Sequence, residues 1–173
     1  REVPTHGHEF LELTYITAGK VLHTLDGQEQ VLSAGDYFIV DYGSRHSYRA
    51  LGEDGYGNID CLFLPELLDP SLKGTVSLRI VLDHYLLHYN IRALTQNPAH
   101  MVFHDTDGRI LELLGRMQSE SEQQAPGYTE LLRCYLVEIL LLTMRHLDDA
   151  SSAAAGNDIC GFLTAYVRDH YME

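Results

Sequence analysis

The stretch His6-Gly7-His8-Glu9-Phe10-Leu11-Glu12, followed at a distance by Gly19, decides how this chain is read. His6, His8 and Glu12 are all even-numbered, so on an unbroken strand their side chains leave the same face, and two imidazoles converge with a carboxylate. A fourth candidate, His46, follows the turn Asp41-Tyr42-Gly43-Ser44-Arg45, and a neighbouring strand would bring it to the same spot. Three histidines and a glutamate suit a first-row ion such as Zn, Fe, Mn, Ni or Cu.

The sequence around this stretch reads as strands. Up to about residue 64 short apolar runs recur: Leu11 to Ile16, Val21 to Leu25, Val31-Leu32, Tyr37 to Val40, Ser47 to Ala50 and Ile59 to Leu64. Between them lie Ala18-Gly19-Lys20, Asp26-Gly27, Ala34-Gly35-Asp36, Tyr42-Gly43-Ser44 and Gly52 to Gly57. Turn chemistry at such regular spacing indicates an antiparallel sandwich or barrel. After Pro65 the pattern changes: residues 76 to 94 read as one or two short helices, and Met101-Val102-Phe103 as one more strand closing the sheet.

Helices follow. Asp105 or Thr106 can cap a helix carrying Ile110, Leu113, Leu114 and Met117 at 3.6-residue spacing, stopped by Ala125-Pro126-Gly127. A second helix, from about Tyr128 to Leu147, is apolar over more than one stripe, which predicts a helical hairpin with surface left for a second copy of the chain. Leu132, Tyr135, Leu136, Ile139 and Leu140 are the candidate dimer contacts. Residues 148–157 read as a small-residue linker, and 158–173 as an amphipathic helix opening a further domain. The expected division is therefore a barrel at 1–104, a dimerisation helix pair at 105–147, the linker, and the start of a truncated domain.

Composition narrows the partners. Twelve Lys and Arg against 25 Asp and Glu give a net charge of −13, which repels phosphate backbones and anionic membrane surfaces. No apolar run reaches the ~18 residues of a membrane-spanning helix. Three scattered cysteines without a C-x-x-C pair point to a reducing compartment, the cytoplasm. A start at Arg1 without a leader suggests a piece of something longer. There is no phosphate-loop, dinucleotide or G-x-S-x-G pattern.

The motif spacing resembles the cupin superfamily, small antiparallel jelly-roll barrels with the signatures G-x5-H-x-H-x(3,4)-E-x6-G and G-x5-P-x-G-x2-H-x3-N. The first is matched by His6, His8, Glu12 and Gly19, the second by Gly35, Gly43 and His46, while Asp41 stands for the proline and Ala50 for the asparagine. The order of segments resembles the sensor half of AraC-family transcription regulators, through Phe10 to Gly19, Leu32 to Asp36, His46-Ser47-Tyr48, Phe63-Leu64-Pro65 and Arg133 to Leu136. That likeness implies a cupin-like barrel followed by a helical hairpin, which binds a small effector, forms a homodimer and reaches DNA only through a C-terminal domain.

Two uses of the histidine set stay open. His6, His8, Glu12 and His46 hold a divalent metal (Zn, Ni, Fe or Mn), or they line a sugar-sized cavity as polar groups. His23 and Tyr48 either join His8, Glu12 and His46 in holding a polyol, or are a surface histidine and a packed tyrosine. His84 and His88, four apart, lack a third ligand, and His100 and His104 are given no role. The reading is a non-enzymatic effector sensor; the rival is a metal-dependent cupin enzyme, a dioxygenase or sugar isomerase.

Overall fold

The computed structural model describes residues 2–85 and 101–155. Six strands come first: β1 (Glu2–His6), β2 (Leu11–Leu25), β3 (Gln28–Ser33), β4 (Asp36–Val40), β5 (His46–Ala50) and β6 (Tyr56–Phe63). The short α1 (Pro65–Leu68), a 3-10 turn at Pro70–Leu72 and α2 (Leu78–Tyr85) follow. Strand β7 (Val102–His104) precedes two longer helices, α3 (Arg109–Gln123) and α4 (Tyr128–Ala155). The strands expected from the apolar runs are present, and the antiparallel sheets with trailing helices are the expected cupin-like jelly roll.

Strand β2 organises the sheets. Its first half pairs with β4 and β6, and its second half with β3 and β5. Strand β1 extends one sheet beyond β5, and β7 extends the other beyond β4, all antiparallel. The segment Ala18-Gly19-Lys20, expected as a turn between two strands, instead lies within this one 15-residue strand. An irregularity between Ile16 and Ala18, where β2 advances two residues against one on β6, makes the bend. Gly19 sits there at φ +74°, and a side chain on it would run into the Gly55 carbonyl. One inserted residue reverses the side-chain parity of everything after it. Before the bulge even residues point inward, Glu12, Thr14 and Ile16; after it odd residues do, Val21, His23 and Leu25.

The first half of β2 is buried on both faces, which explains why its sequence is so continuously apolar. Leu11, Leu13 and Tyr15 look away from the barrel interior and, with Tyr37, Ile39 and Phe63, pack against Ile110, Leu113, Leu114, Met117, Leu136, Ile139 and Leu140 of the helix pair. Leu136 and Ile139 are 0 % exposed and Leu140 2 %, so these three belong to the chain's own core. Their place in the hairpin's own core is what their apolar spacing predicts. Leu132 and Tyr135 are half-buried against the same core.

Two buried hydroxyl bonds cross between barrel and helices. Tyr15 on β2 donates to Asp105 Oδ2 at 3.1 Å, and Asp105 also accepts from the amides of Ile110 (3.2 Å) and Leu111 (3.0 Å). Asp105 thus caps α3 as expected, but from outside its first turn, reaching over Gly108. Burial, reinforced by Asp105, pushes the Tyr15 hydroxyl up to about 12. Thr143 donates to the Ile139 carbonyl at 2.8 Å, so its oxygen accepts from Tyr37 of β4 at 3.2 Å.

Helix α4 was expected to stop near Leu147; it continues to Ala155, through most of the small-residue segment read as a linker. Alanine is the strongest helix former, so the run Ala153-Ala154-Ala155 prolongs the helix rather than breaking it. The remainder of the expected 76–94 helical stretch beyond Tyr85 and the amphipathic segment 158–173 lie outside the described residues, as do His88 and His100.

Candidate functional site: the polar barrel interior

The histidine-glutamate set does not ride on one unbroken strand. Strand β1 ends at His6, the chain bends through Gly7 to Phe10, and β2 begins at Leu11. Convergence survives because β1 and the start of β2 both border the same interior. His6 lies opposite His46 in the β1–β5 register, with ring centroids 4.3 Å apart. Ligand atoms of His6, Glu12 and His46 all lie within 4.8 Å of one another. His8 stands beside them: its Nε2 is 3.1 Å from Glu12 Oε2, and His46 Nε2 is 3.8 Å from the same oxygen.

Backbone contacts orient these rings. His6 Nδ1 donates to the Pro4 carbonyl at 3.0 Å, and His8 Nδ1 to the Phe10 carbonyl at 2.9 Å. Each donation places a proton on Nδ1 and turns Nε2 away from the backbone. His8 Nε2 lies 3.1 Å from Glu12 Oε2, an ion-pairing distance without the alignment of a hydrogen bond. Both nitrogens of His46, 0 % exposed, are likewise without a protein partner among the described residues.

Deeper in, His23 and Tyr48 face each other across the β2–β5 pair, their rings stacked 5.0 Å apart, with Phe38 4.3 Å from His23 and 6.3 Å from Tyr48. His23 is buried, not a surface residue, and its Nε2 is unpaired. Burial pushes His23 down to about 4 and, with the neighbouring His6, His23 and His8, pushes His46 down to about 3, so both rings are neutral near pH 7. Burial also raises the Tyr48 hydroxyl, with help from Glu12.

Two participants were missed by sequence reasoning. Thr14 Oγ1 lies 3.0 Å from Glu12 Oε1, 2.9 Å from Asp60 Oδ1 and 3.3 Å from the Tyr48 hydroxyl, which itself donates to Glu12 Oε1 at 3.2 Å. Parity could have found Thr14, two residues from Glu12; Asp60 comes in only through its register opposite Thr14 on β6. Asp41, in place of the motif's proline, accepts from the amides of Tyr42 and Leu78, both at 2.8 Å, and so ties the β4–β5 turn to the start of α2.

The chemistry of the site is that of four imidazoles, two of them held neutral by burial, gathered with a carboxylate. Its unpaired Nε2 atoms and the free oxygen of Glu12 match the nitrogen and carboxylate donors of a first-row divalent ion, so the residues present fit a metal. They equally match the hydroxyl donors of a polyol.

Residues 1–56 match the family model described as Cupin domain. Over 143 residues, 82 % of this chain, it is 23 % identical to the HTH-type transcriptional activator RhaR of Escherichia coli K12, and equally so over 142 residues to that of Mannheimia succiniciproducens. Residues 1–56 carry a cupin domain. The chain spans about half the length of these curated relatives, 46 %. Among solved structures it is similar to apo ToxT from Vibrio cholerae, at 10 % identity and a TM-score of 0.59, over 86 % of this chain and 54 % of that one, a likeness of fold. Within this cupin, His8 and His46 of the metal motif are the ones whose Nε2 atoms face Glu12. Among the described residues no helix is long and apolar enough to cross a membrane.

Proposed function

We propose that this cupin is the effector-sensing part of a transcription regulator and is not itself an enzyme. A small polar ligand, a carbohydrate, enters the barrel and is held by His8, Glu12, His23, His46 and Tyr48. The observation that carries this reading is the set of buried imidazole nitrogens without a hydrogen-bond partner among the described residues, on His8 and His46 beside Glu12 and on His23 beside Tyr48. Each buried polar atom left unpaired costs about 1–3 kcal/mol, and ligand hydroxyls relieve that cost. The resemblance to the RhaR activators supports a regulatory role.

The signal leaves through the strands that form the chamber. Glu12 and Thr14 alternate along β2 with Leu13 and Tyr15, and Tyr15 and Tyr37 are bonded to the helix pair. A ligand that binds one arrangement of barrel against helices more tightly than another shifts the equilibrium by that difference. The longer protein acts as a cytoplasmic homodimer, and a further domain contacts DNA, consistent with the −13 charge here.

A thermal-shift screen of sugars, amino acids and aromatic acids tests the reading. Sugars that raise the melting temperature of the wild type, but not of Glu12→Ala/His46→Ala, support it; stabilisation by none of the sugars refutes it.

The second reading, a metal-dependent cupin enzyme, draws on the same unpaired nitrogens. His6, His8, Glu12 and His46 would hold the ion, which would polarise a substrate oxygen as a Lewis acid. Elemental analysis of the purified protein separates the two: a stoichiometric redox metal together with turnover favours the enzyme.

A further inference from the structure

The barrel is open along one edge, and we infer that Asp60 on that edge determines specificity, making the chamber discriminate against carboxylate-bearing sugars in favour of their neutral counterparts. The inference rests on the proposal that the barrel binds a carbohydrate and adds the charge class of that ligand.

Strand β6 pairs with β2 alone among the described strands. Directly opposed residues of an antiparallel pair share a face, so Asn58, Asp60 and Leu62, opposite Ile16, Thr14 and Glu12, lie on the interior side of the sheet. Yet Leu62 is 55 % exposed and Asp60 is exposed, whereas Glu12 and Thr14 are 6 % and 0 %. The interior therefore meets solvent along β6, and a ligand approaching Glu12 from that side passes Leu62 and Asp60.

Asp60 is held in place. Its Oδ1 accepts from Thr14 Oγ1 at 2.9 Å and its Oδ2 from Asn58 Nδ2 at 2.6 Å, which fixes the carboxylate at the rim. Behind it, Glu12 Oε1 lies 3.0 Å from the same Thr14 oxygen, so two carboxylates line one route inward. Among the described residues neither carboxylate is ion-paired with a Lys or Arg, and no Lys or Arg is buried. His46, fully buried with both ring nitrogens unpaired and Nε2 3.8 Å from Glu12, is the group a ligand hydroxyl would reach beyond this rim.

A ligand carboxylate brought about 5 Å from Asp60, between the water and protein-surface limits of Coulomb's law, loses roughly tenfold in affinity. The test is calorimetric titration of the chain with matched pairs: L-rhamnose and L-rhamnonate, D-galactose and D-galacturonate, D-glucose and D-glucuronate. For wild type the neutral member of the pair that binds should be favoured by about tenfold. In Asp60→Asn that ratio should fall by at least about threefold, with Glu12 keeping the remainder. Asp60→Ser gives the same comparison should the amide disturb the strand. Glu122→Gln, which changes the net charge equally on exposed α3, should leave the ratio at its wild-type value.

An acid bound by wild type as tightly as its neutral partner overturns the role of Asp60 while leaving the carbohydrate reading intact. So does an unchanged ratio in folded Asp60→Asn and Asp60→Ser, or a fall of equal size in Glu122→Gln. Failure of every neutral sugar and every acid to bind wild type removes the carbohydrate reading and this inference with it.

Discussion

Replacing Asp105 with alanine removes the one side chain that bonds both barrel and helix pair at the same point. Asp105 is 8 % exposed and accepts three donors: the Tyr15 hydroxyl at 3.1 Å, and the Ile110 and Leu111 amides at 3.2 and 3.0 Å. Losing the helix cap costs about 1–2 kcal/mol. Leaving the buried Tyr15 hydroxyl without an acceptor adds about 1–2 kcal/mol, for a total near 3 kcal/mol. For a domain of this size that lowers the melting temperature by roughly 6–12 °C. Tyr15→Phe, which removes the donor but leaves the carboxylate bonded to both amides, should cost only about 1 kcal/mol. The double variant should cost less than the sum, since the two residues share one bond. Urea denaturation of the four proteins measures this. Asp105→Ala within about 0.5 kcal/mol of wild type, or strict additivity with Tyr15→Phe, would refute the reasoning.

Other consequences concern the core and the interior. His23 is held neutral, its folded value pushed down to about 4 by burial, so the unfolded chain takes up the proton first on acidification. Stability from His23 is complete above about pH 6.5 and is lost as pH falls from there towards 4; His23→Leu should flatten that part of a urea-midpoint profile, and an equally steep profile would argue against it. Leu136→Ala should cost about 3 kcal/mol in the denaturant midpoint because the site is fully enclosed, while Leu131→Ala, 41 % exposed, should cost under about 0.5 kcal/mol. Gly35→Ala should destabilise by about 1–3 kcal/mol, since φ is +92° and a Cβ would sit 2.8 Å from the His104 ring; an unchanged melting temperature would mean that the β3–β4 turn relaxes freely.

Much of the barrel could be read from Leu11 to Leu64 because turn residues punctuate it regularly and alternation is a local property. What escaped reading was non-local. The bulge at Ile16–Ala18 looks like a turn in sequence, since Gly19 serves either, and only pairing with β6 distinguishes the two. The grouping of His6, His8, Glu12 and His46 was readable from spacing, although the assumed single strand was not what produced it. Thr14 and Asp60 joined through register across strands, a relation that spacing within one strand does not encode. Leu136, Ile139 and Leu140 showed their apolarity plainly, but sequence cannot tell which surface claims an apolar face, and here the chain's own β2 and β4 do.

The central claim is that the unpaired interior groups around Glu12 are a ligand site. The most direct measurement is calorimetric titration of the best sugar from the thermal-shift screen into wild type and into Glu12→Ala/His46→Ala, with circular dichroism on both proteins. Saturable 1:1 binding to wild type, lost by roughly a hundredfold or more in a variant with an unchanged spectrum, is the predicted result, since removal of several buried hydrogen-bonding partners costs upwards of about 3 kcal/mol. Equal affinity in the two proteins would contradict it.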